Sequence, residues 1–548
     1  MRRAALAVVM AAGLVAGGCG GSGSGSGGSS GSSATAVNGG TLRAGIPDNP
    51  DYLDPGLSYT NEGWEILEAT NNGLLTFKKA AGGEGAQIVP DIATAMPAVT
   101  DGGKTYTFHV RPNVMFSPPV SRAVKPSDVK FSIERLFRID SGGLSFFTGI
   151  EGANAYAKSR KGGISGIVAN DAKGTITFHL TQPDGTFLDY IATPFAFVLP
   201  AGTPSKDIST LPQWRIATGP YRVSSYTPKQ QLVITRNPNF HQWTSDSPNG
   251  HLNQIDVQIG VTPEQSVNEI ADGQLDWYFE SVPPDRLTQL RAQYPKQVYP
   301  FVRNNITYFF MNERKYPFNK LDVRKAVNYA IDRHAMLAAF GVLAGQRDDQ
   351  FMAPAVPGYK NVSIYPTKAP NDTKAKSLFG KGGSAVVYVR NRPYQIVQGT
   401  ILQYNLKQIG IDASVQSFPA ATFYAKAGTK GEAFDAAIGA WGWDYPDPAD
   451  FLNVFFDGNN IHDNNNQNLS YFNVASVNKQ LEQAAALSGD SRYAAYGNLD
   501  VTIARDYAPH ANMYHGTLAT YLSARMDPSC YVYQPIYARP DLGAMCFK

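Results

Sequence analysis

A tract rich in glycine and serine, residues 20–40, divides this sequence into a short leader and a long remainder. Such a tract has few apolar side chains to bury, so it is predicted to be a flexible tether outside any folded core. About 510 of the 548 residues follow it. A single hydrophobic core stops growing at about 250–300 residues, so the remainder is expected to form at least two lobes.

The leader, residues 1–19, has the layout of a secretory signal peptide. Two arginines are followed by an apolar stretch, residues 4–16, which is shorter than the about 20 residues needed to span a bilayer. Small residues then lead into Cys19, which resembles the lipobox of bacterial lipoproteins, although Ala16 stands where leucine is usual. The resemblance implies that Cys19 becomes lipidated. An ordinary signal peptide with a chance cysteine is the alternative.

Charge, motifs and cysteines narrow the class of protein. The 48 basic and 45 acidic residues nearly balance, so the sequence shows no electrostatic footprint for nucleic acid. No HExxH, CxxC, GxxxxGK[ST] or GxSxG motif occurs, and we predict neither a cofactor nor a metal site. Cys530 and Cys546 are predicted to form a disulfide, because disulfides persist in exported chains. Two separate buried thiols are the alternative.

Residue periodicity in the first half predicts strands around a helix. Residues 104–110 and 174–180 alternate apolar and polar side chains, as half-buried strands do. Between them, residues 125–138 are predicted to form a helix with Ser127 as its N-cap, since a serine hydroxyl accepts from unpaired N–H groups. The two similar strands are expected to belong to one region and not to a repeat.

The second half adds longer helices. Residues 321–341 carry an apolar stripe with helical spacing and predict one long amphipathic helix that ends at Gly341. Residues 384–418 then predict a strand, a helix and a second strand. A β-α-β unit of this kind implies α/β packing. The fold class predicted from periodicity is therefore α/β.

The stretch GAWGWDYPDPADFL, residues 439–452, combines acids with aromatic rings. Its two prolines exclude a regular helix at its start, and it follows a predicted strand. The acids therefore lie on a turn at a strand end, where ligand sites of α/β folds are found. Asp447 and Asp450 are interpreted as turn residues, one of which caps the helix that follows.

Asp444 differs from its two acidic neighbours because it lies between Trp443 and Tyr445. An acid beside large rings is partly desolvated, and this costs free energy unless a cation pairs with it. The stretch therefore predicts a pocket for a cationic group and not a catalytic pair of acids.

Several segments form an ordered set along the chain: KTYTFHVRPNVMFSPPVSRAVKPSDVKFSIERL, ATGPY with RNPNFH, NKLDVRKAVNYAIDRHAM, QYNLKQIGI and AWGWDYPDPADFL. Together they resemble the hallmarks of the family 5 substrate-binding proteins of bacterial ABC importers, the oligopeptide- and dipeptide-binding type. Ser127 stands where that family has alanine, and Ala217 where it has glycine. Each segment alone is unspecific, whereas the ordered combination covers nearly the whole chain after the tether.

The resemblance implies a two-lobed α/β fold of the periplasmic-binding-protein type (type II, cluster C). A hinge joins the lobes, an extra domain is inserted in the first lobe, and the lobes close over a buried ligand. After the tether, lobe I is expected to begin at 41–77 and to resume at 195–300, with the inserted subdomain at 78–194 between these two segments. Lobe II is expected at 301–519, followed by a C-terminal return to lobe I at 520–548.

The resemblance also implies a function. The chain is expected to be an extracytoplasmic lipoprotein, anchored to the cytoplasmic membrane by Cys19, that captures a short peptide and delivers it to an ABC permease. In the peptide-binding members, the acid that matches Asp444 holds the α-ammonium of the peptide. The other ligand-binding candidates are aromatic: Trp441, Trp443, Tyr445 and Tyr59.

Other functions stay open on the sequence. Members that bind nickel chelates, oligosaccharides or other solutes share the scaffold, so a non-peptide solute is one alternative. A receptor that senses peptides and signals is another. A secreted hydrolase is a distant alternative, because no nucleophile–base or metal motif occurs. The chain is expected to be a monomer without enzymatic activity.

Overall fold

The computed structural model describes residues 38–246, 249–302, 305–341, 345–354, 356–380, 382–487 and 489–548. The predicted signal peptide, Cys19 and the tether as far as residue 37 lie outside the described residues. Within the described ranges, none of the helices combines the length and apolar character that crossing a membrane requires.

Helices and strands alternate along the described chain. The strands are β1 (Thr41–Ile46), β2 (Leu75–Phe77), β3 (Ile88–Pro90), β4 (Ala98–Thr100), β5 (Thr105–His109), β6 (Ile167–Asn170), β7 (Thr175–His179), β8 (Tyr221–Thr227), β9 (Gln231–Arg236), β10 (Gln254–Ile259), β11 (Trp277–Tyr278), β12 (Val298–Val302), β13 (Asn305–Met311), β14 (Gln346–Arg347), β15 (Gly383–Arg390), β16 (Ile411–Phe418), β17 (Ala436–Gly442), β18 (His510–His515), β19 (Thr517–Tyr521), β20 (Tyr533–Gln534) and β21 (Arg539–Pro540). The α-helices are α1 (Asn61–Thr70), α2 (Pro126–Arg138), α3 (Ala153–Ser159), α4 (Phe187–Ala192), α5 (Pro263–Ala271), α6 (Pro284–Gln293), α7 (Leu321–Ala330), α8 (Arg333–Phe340), α9 (Asp372–Leu378), α10 (Pro393–Gln408), α11 (Ala420–Ala427), α12 (Ala449–Phe456), α13 (Ala475–Ala485) and α14 (Gly489–Thr502).

The first lobe is built on a five-stranded sheet with the order β11-β1-β10-β9-β8. β1 runs parallel to both of its neighbours, with Leu42 opposite Ile255 and Ala44 opposite Trp277. These apolar side chains are buried and form one core with the apolar residues of β9. Because β1 and β11 are parallel neighbours, their carboxyl ends emerge side by side.

The second lobe is built on a six-stranded sheet with the order β14-β18-β13-β17-β15-β16. β15 pairs in parallel with β16, and α10 connects the two, so the predicted β-α-β unit is present. Val387 of β15 and Leu402 and Leu406 of α10 are buried in one core. β17 is the other parallel neighbour of β15, so the carboxyl ends of β15 and β17 also emerge together.

A third, four-stranded sheet, β4-β5-β7-β6, contains the two similar strands predicted from the sequence. β5 and β7 are antiparallel neighbours, with Tyr106 opposite Phe178. α2 packs against this sheet and buries Val129 and Ile133. The strands are therefore partners in one sheet, as expected.

Two antiparallel strands, β12 and β19, connect the lobes. β12 precedes β13 of the second sheet, and β19 follows β18, so the chain enters the second lobe along one strand and leaves it along the other. After β19, Leu522, Met526 and Leu542 pack into the core of the first sheet. The architecture is a two-lobed α/β fold.

The predicted N-cap of α2 is wrong by two residues. The helix begins at Pro126, so Lys125 occupies the N-cap position, and the Asp128 carboxylate accepts from the Lys125 N–H at 2.9 Å. The Ser127 hydroxyl instead donates to Asp171 at 2.8 Å. Proline at the first helical position and an acid at the third favour this start over one at Ser127.

The single long helix predicted over 321–341 is also wrong, because the segment forms α7 and α8 with a break between them. The Asp332 carboxylate accepts from the Ala335 N–H at 2.9 Å and caps α8. The buried Arg333 guanidinium donates to the carbonyls of Asn512 and Asn328 at 2.6 and 2.9 Å. Burying a charged side chain requires such partners, and the turn at Asp332 brings Arg333 to them.

Cys530 and Cys546 form a disulfide with their Cα atoms 5.6 Å apart. They are 16 residues apart in the chain, and a loop of this size restricts the unfolded chain by about 3 kcal/mol in the chain-entropy model. We expect the variant with both cysteines replaced by serine to lose about 3 kcal/mol of unfolding free energy in urea titrations. The prediction would be contradicted if the variant, the reduced wild type and the oxidised wild type all unfolded at the same urea midpoint.

Candidate functional site

A cavity of about 240 Å³ lies where the carboxyl ends of strands from the two large sheets face each other. The first lobe contributes the segment 51–64, Glu280 and Arg539 to its wall. The second lobe contributes the ends of β15 and β17 and the first turns of α11. Carboxyl ends of strands are where α/β folds place ligands, so this cavity is the candidate site.

Asp444 lies in the wall of this cavity, two residues after β17 ends. The side chain accepts a hydrogen bond from the Tyr59 hydroxyl of the first lobe at 2.6 Å. Asp444 is 6% exposed, and among the described residues it has no lysine, arginine or histidine as an ion-pair partner. The structure therefore presents a buried acid that joins the lobes through a hydroxyl and lacks a countercharge.

The two other acids of the stretch hold Asp444 in place. Asp447 forms a two-pronged ion pair with Arg492 at 2.8 and 2.9 Å and accepts from the Ala449 N–H at the start of α12. Asp450 does not cap that helix. Its carboxylate accepts from the Asp444 N–H at 2.9 Å, so the turn that presents Asp444 is fixed by side chains.

Tyr59 stands opposite Asp444 with its backbone and ring both fixed. Its N–H donates to the Asp51 carboxylate at 2.6 Å, and its ring stacks on Trp64 with centroids 5.5 Å apart. The ring of Trp441 meets it edge-on at 5.7 Å. Three of the five ligand-binding candidates, Asp444, Tyr59 and Trp441, thus share the cavity wall.

The other two candidates, Trp443 and Tyr445, do not line this cavity. Both are buried in the large hydrophobic core of the protein. The ring of Tyr445 lies edge-on to Tyr190 and Phe146, with centroids 5.2 and 5.8 Å away. These rings pack against the back of the turn and do not line the cavity.

The environment of Asp444 favours its protonated form. Burial raises the pKa of the Asp444 carboxyl to about 8, and the hydrogen bond from Tyr59 opposes this rise only in part. Burial, and then the neighbouring Asp444, raise the pKa of Asp450 well above its usual value. A cation that enters the cavity would reverse the effect at Asp444, because it stabilises the carboxylate.

We therefore expect binding of an α-ammonium group to release a proton from the protein. Below about pH 8 the free protein holds a proton on Asp444 that an ion pair must displace, so affinity rises with pH. Above about pH 8 the ligand loses its own ammonium proton, since α-amino pKa values are about 7.7–8.0. Affinity should peak near pH 8. Calorimetry at pH 6.5 in buffers of different ionisation enthalpy measures the proton count, and a count of zero contradicts the prediction.

Three arginines complete the charge pattern of the cavity wall. Arg539 donates to Glu62 at 2.7 Å, and Arg392 donates to Glu280 at 3.0 Å, so both are neutralised. Among the residues that the structure describes, no carboxylate pairs with Arg390.

Arg390 is held without being neutralised. Its Nε donates to Gln395 at 3.0 Å, and its guanidinium lies over the Tyr424 ring at 5.9 Å. Sequence reasoning missed this residue, although its position at the end of β15 follows the same rule that located Asp444.

Two acids of the described cavity wall, Asp444 and Asp51, form no ion pair, but the Asp51 carboxylate already accepts from the Tyr59 N–H at 2.6 Å and from the hydroxyls of Ser58 and Thr60 at 2.9 and 2.8 Å. Asp444 and Arg390 are therefore the acid and the arginine that suit a ligand carrying both charges.

Comparison with known proteins places the chain among binding proteins. The sequence profile of the bacterial extracellular solute-binding proteins, family 5 Middle, matches residues 87–463, more than half of the chain. The chain is 26% identical over 468 residues to the probable D,D-dipeptide-binding periplasmic protein DdpA of Escherichia coli K12, covering 83% of this chain and 85% of that protein. It is 25% identical over 521 residues to heme-binding protein A of Haemophilus influenzae, covering 90% and 89%.

Solved structures show the same fold. The murein tripeptide binding protein MppA of Escherichia coli matches with a TM-score of 0.81 at 21% identity, over 94% of this chain and 99% of that one. The proteins that resemble this chain are named for different ligands, a dipeptide, a tripeptide and heme. The ligand of this chain must therefore be argued from its own cavity.

Proposed function

The chain belongs to the family 5 bacterial extracellular solute-binding proteins, and we propose that it is the receptor of an ABC importer for short peptides with free termini. The receptor captures the peptide between its lobes as a monomer and delivers it to a membrane permease. Transport energy enters in other subunits, and the receptor itself performs no chemistry on the peptide.

The observation that carries this proposal is the pair of unmatched charges in one cavity. Asp444 follows the end of β17, and Arg390 lies at the end of β15, the adjacent parallel strand. A short peptide at neutral pH has an α-ammonium at one end and an α-carboxylate at the other. Bound across the two strand ends, the peptide supplies the missing countercharge to each side chain, and a guanidinium matches a carboxylate in shape as well as in charge.

The rings beside Asp444 favour an ion pair between its carboxylate and the ligand. Tyr59 from one lobe and Trp441 from the other lie next to the carboxylate and exclude water from it. An ion pair is worth more in such a place than in water, because the dielectric constant is low. A peptide could also add its backbone to the strand ends, which is the mode of β-strand addition.

Binding assays with blocked termini test the proposal. A panel of di-, tri- and tetrapeptides is titrated by calorimetry against protein that has been unfolded, dialysed and refolded to remove bound ligand. Each peptide is compared with its N-acetylated and C-amidated forms. The proposal expects micromolar or tighter binding of free peptides and a large loss on blocking either end. Equal binding of free and doubly blocked peptides would reject the proposal. So would a failure of every peptide in the panel to bind.

Membrane anchoring by Cys19 belongs to the proposed function. The signal-peptide pattern, the small residues before Cys19 and the tether after it support lipidation there. We expect Cys19→Ser to move the protein from the membrane fraction to the soluble fraction when expressed in a bacterial host. A wild-type protein that is secreted freely and carries no lipid mass in its N-terminal peptide would contradict this.

A further inference from the structure

Three charged side chains meet at the edge of the cavity from equivalent positions on three strands. Asp48 lies two residues after β1 ends, and Glu280 lies two residues after β11 ends. β1 and β11 are parallel neighbours in the first lobe, so both acids project from the same edge. Arg392 lies two residues after β15 ends, in the second lobe.

The three side chains form ion pairs across the cleft. Arg392 Nη2 donates to Glu280 Oε1 at 3.0 Å, and Arg392 Nη1 lies 3.3 Å from Asp48 Oδ2. Arg392 is 7% exposed, whereas the Asp48 side chain is 43% exposed. The pair with Glu280 is therefore shielded from solvent, and the pair with Asp48 lies at its rim. Salt therefore screens the pair between Arg392 and Glu280 less than the pair between Arg392 and Asp48.

We propose that Arg392, Glu280 and Asp48 form an ion-pair latch that stabilises the closed arrangement of the two lobes. The latch leaves Arg390 as the cavity arginine that is free for a ligand anion, because the charge of Arg392 is already matched twice. It rests on the proposed function only in assigning the cavity to a ligand, and its experiment needs no ligand.

The latch differs in its response to pH from another contact between the lobes, the hydrogen bond from Tyr59 to Asp444. The groups that face Glu280 are Arg392, Arg539, Arg390 and Glu62. Although burial acts in the opposite direction, the charges of Arg392 and Arg539 lower the pKa of Glu280 to about 2. Glu280 keeps its charge at any neutral or mildly acidic pH.

Asp444, by contrast, changes its protonation near pH 8. The two contacts therefore have separate roles. The latch sets the population of the closed form without ligand, and the Asp444 contact responds to the ligand. A ligand that needs the closed form binds more tightly when that form is already populated.

The test measures lobe closure in the absence of ligand. Ligand-stripped wild type, Arg392→Met and Glu280→Gln are compared by small-angle X-ray scattering and by distance distributions between spin labels, one on the surface of each lobe. We expect the wild type to populate the closed form more than either variant does. Either substitution should shift the open–closed equilibrium toward the open form by about 5- to 150-fold, the usual range of coupling between sites.

Matched controls separate the latch from general effects. Arg286→Met removes an exposed ion pair with Glu264 inside the first lobe and should leave closure unchanged. Asp48→Asn removes only the rim pair and should have a smaller effect than Glu280→Gln. Circular dichroism and thermal unfolding check that each variant folds. If Arg392→Met does not fold, Glu280→Gln still removes the same ion pair from the side of the first lobe.

Two outcomes would overturn the latch. The first is a ligand-free wild type that is as open as the variants. The second is a folded Arg392→Met or Glu280→Gln variant that stays as closed as the wild type. Either result is independent of peptide binding, so it is distinguishable from failure of the proposed function, which the blocked-peptide titrations detect.

Discussion

Replacing Asp444 with asparagine is expected to weaken the binding of short peptides with a free amino terminus by about 30- to 5,000-fold. Asparagine keeps the shape of the side chain and its hydrogen bond from Tyr59 but removes the charge that pairs with the α-ammonium. Truncating one partner of a buried, hydrogen-bonded charge pair costs about 2–5 kcal/mol, much of it because the other charge is left unpaired. The cost is large here because the Asp444 carboxylate has no ion-pair partner among the described residues, so its countercharge must come from the ligand.

Titration of one peptide in its free and N-acetylated forms isolates the contribution of the ammonium charge to the binding free energy. The acetylated peptide has no ammonium, so it should bind the wild type weakly and lose little more with Asp444→Asn. Asp463→Asn, at an exposed acid of the same lobe that pairs with Lys430, is the matched control and should bind as the wild type does. If Asp444→Asn affects both forms of the peptide equally, Asp444 is a structural turn residue and not an anchor.

The position of Asp444 could be predicted because both local and fold-level rules pointed to it. The prolines of residues 439–452 stop the strand, and strand ends in α/β folds carry ligands. The identity of its neighbours misled the prediction. Trp443 and Tyr445 are buried in the core, whereas Asp444 between them and Trp441 near the end of β17 lie in the cavity wall. Because the chain bends after β17, strand alternation does not decide which of these side chains face the cavity.

The residues that sequence reasoning missed depend on contacts between distant segments. Arg390 and Arg392 are two residues apart at the end of one strand, and nothing local distinguishes them. The first lobe distinguishes the two arginines, because its Glu280 neutralises Arg392 and leaves Arg390 without a countercharge. The break between α7 and α8 has the same kind of cause, since Arg333 is drawn to carbonyls that lie far away in the sequence.

The fold class could be predicted from the sequence more directly than the boundaries between the lobes. Periodicity predicted the unit of β15, α10 and β16, and the resemblance to a known family supplied the two-lobed arrangement. The residues at which one lobe passes into the next remain a prediction. Strands β12 and β19 belong to the connection itself, so any single boundary residue there is a matter of definition.

Replacing Arg390 with methionine is the second substitution with a large expected effect. Methionine keeps an unbranched apolar stem that can still contact the Tyr424 ring, but it removes the cation that faces the peptide carboxylate. We expect peptides with a free carboxyl terminus to lose about 2–5 kcal/mol, which is roughly 30- to 5,000-fold in affinity. The same peptides with amidated ends should bind the wild type weakly and the variant about equally, as calorimetry would show.

Arg314→Met is the matched control, because Arg314 also lies over a tyrosine ring, that of Tyr471 at 4.2 Å, but outside the cavity wall. Comparing Arg390→Met with Asp444→Asn on peptides that are blocked at one end then tests whether one ligand bridges the two charges. If each side chain holds one end of the same peptide, blocking the amino terminus should abolish the effect of Asp444→Asn while that of Arg390→Met persists, and amidation should do the reverse. If amidation leaves the effect of Arg390→Met intact, Arg390 acts on the shape of the cavity, and the carboxylate must find its partner elsewhere in the wall.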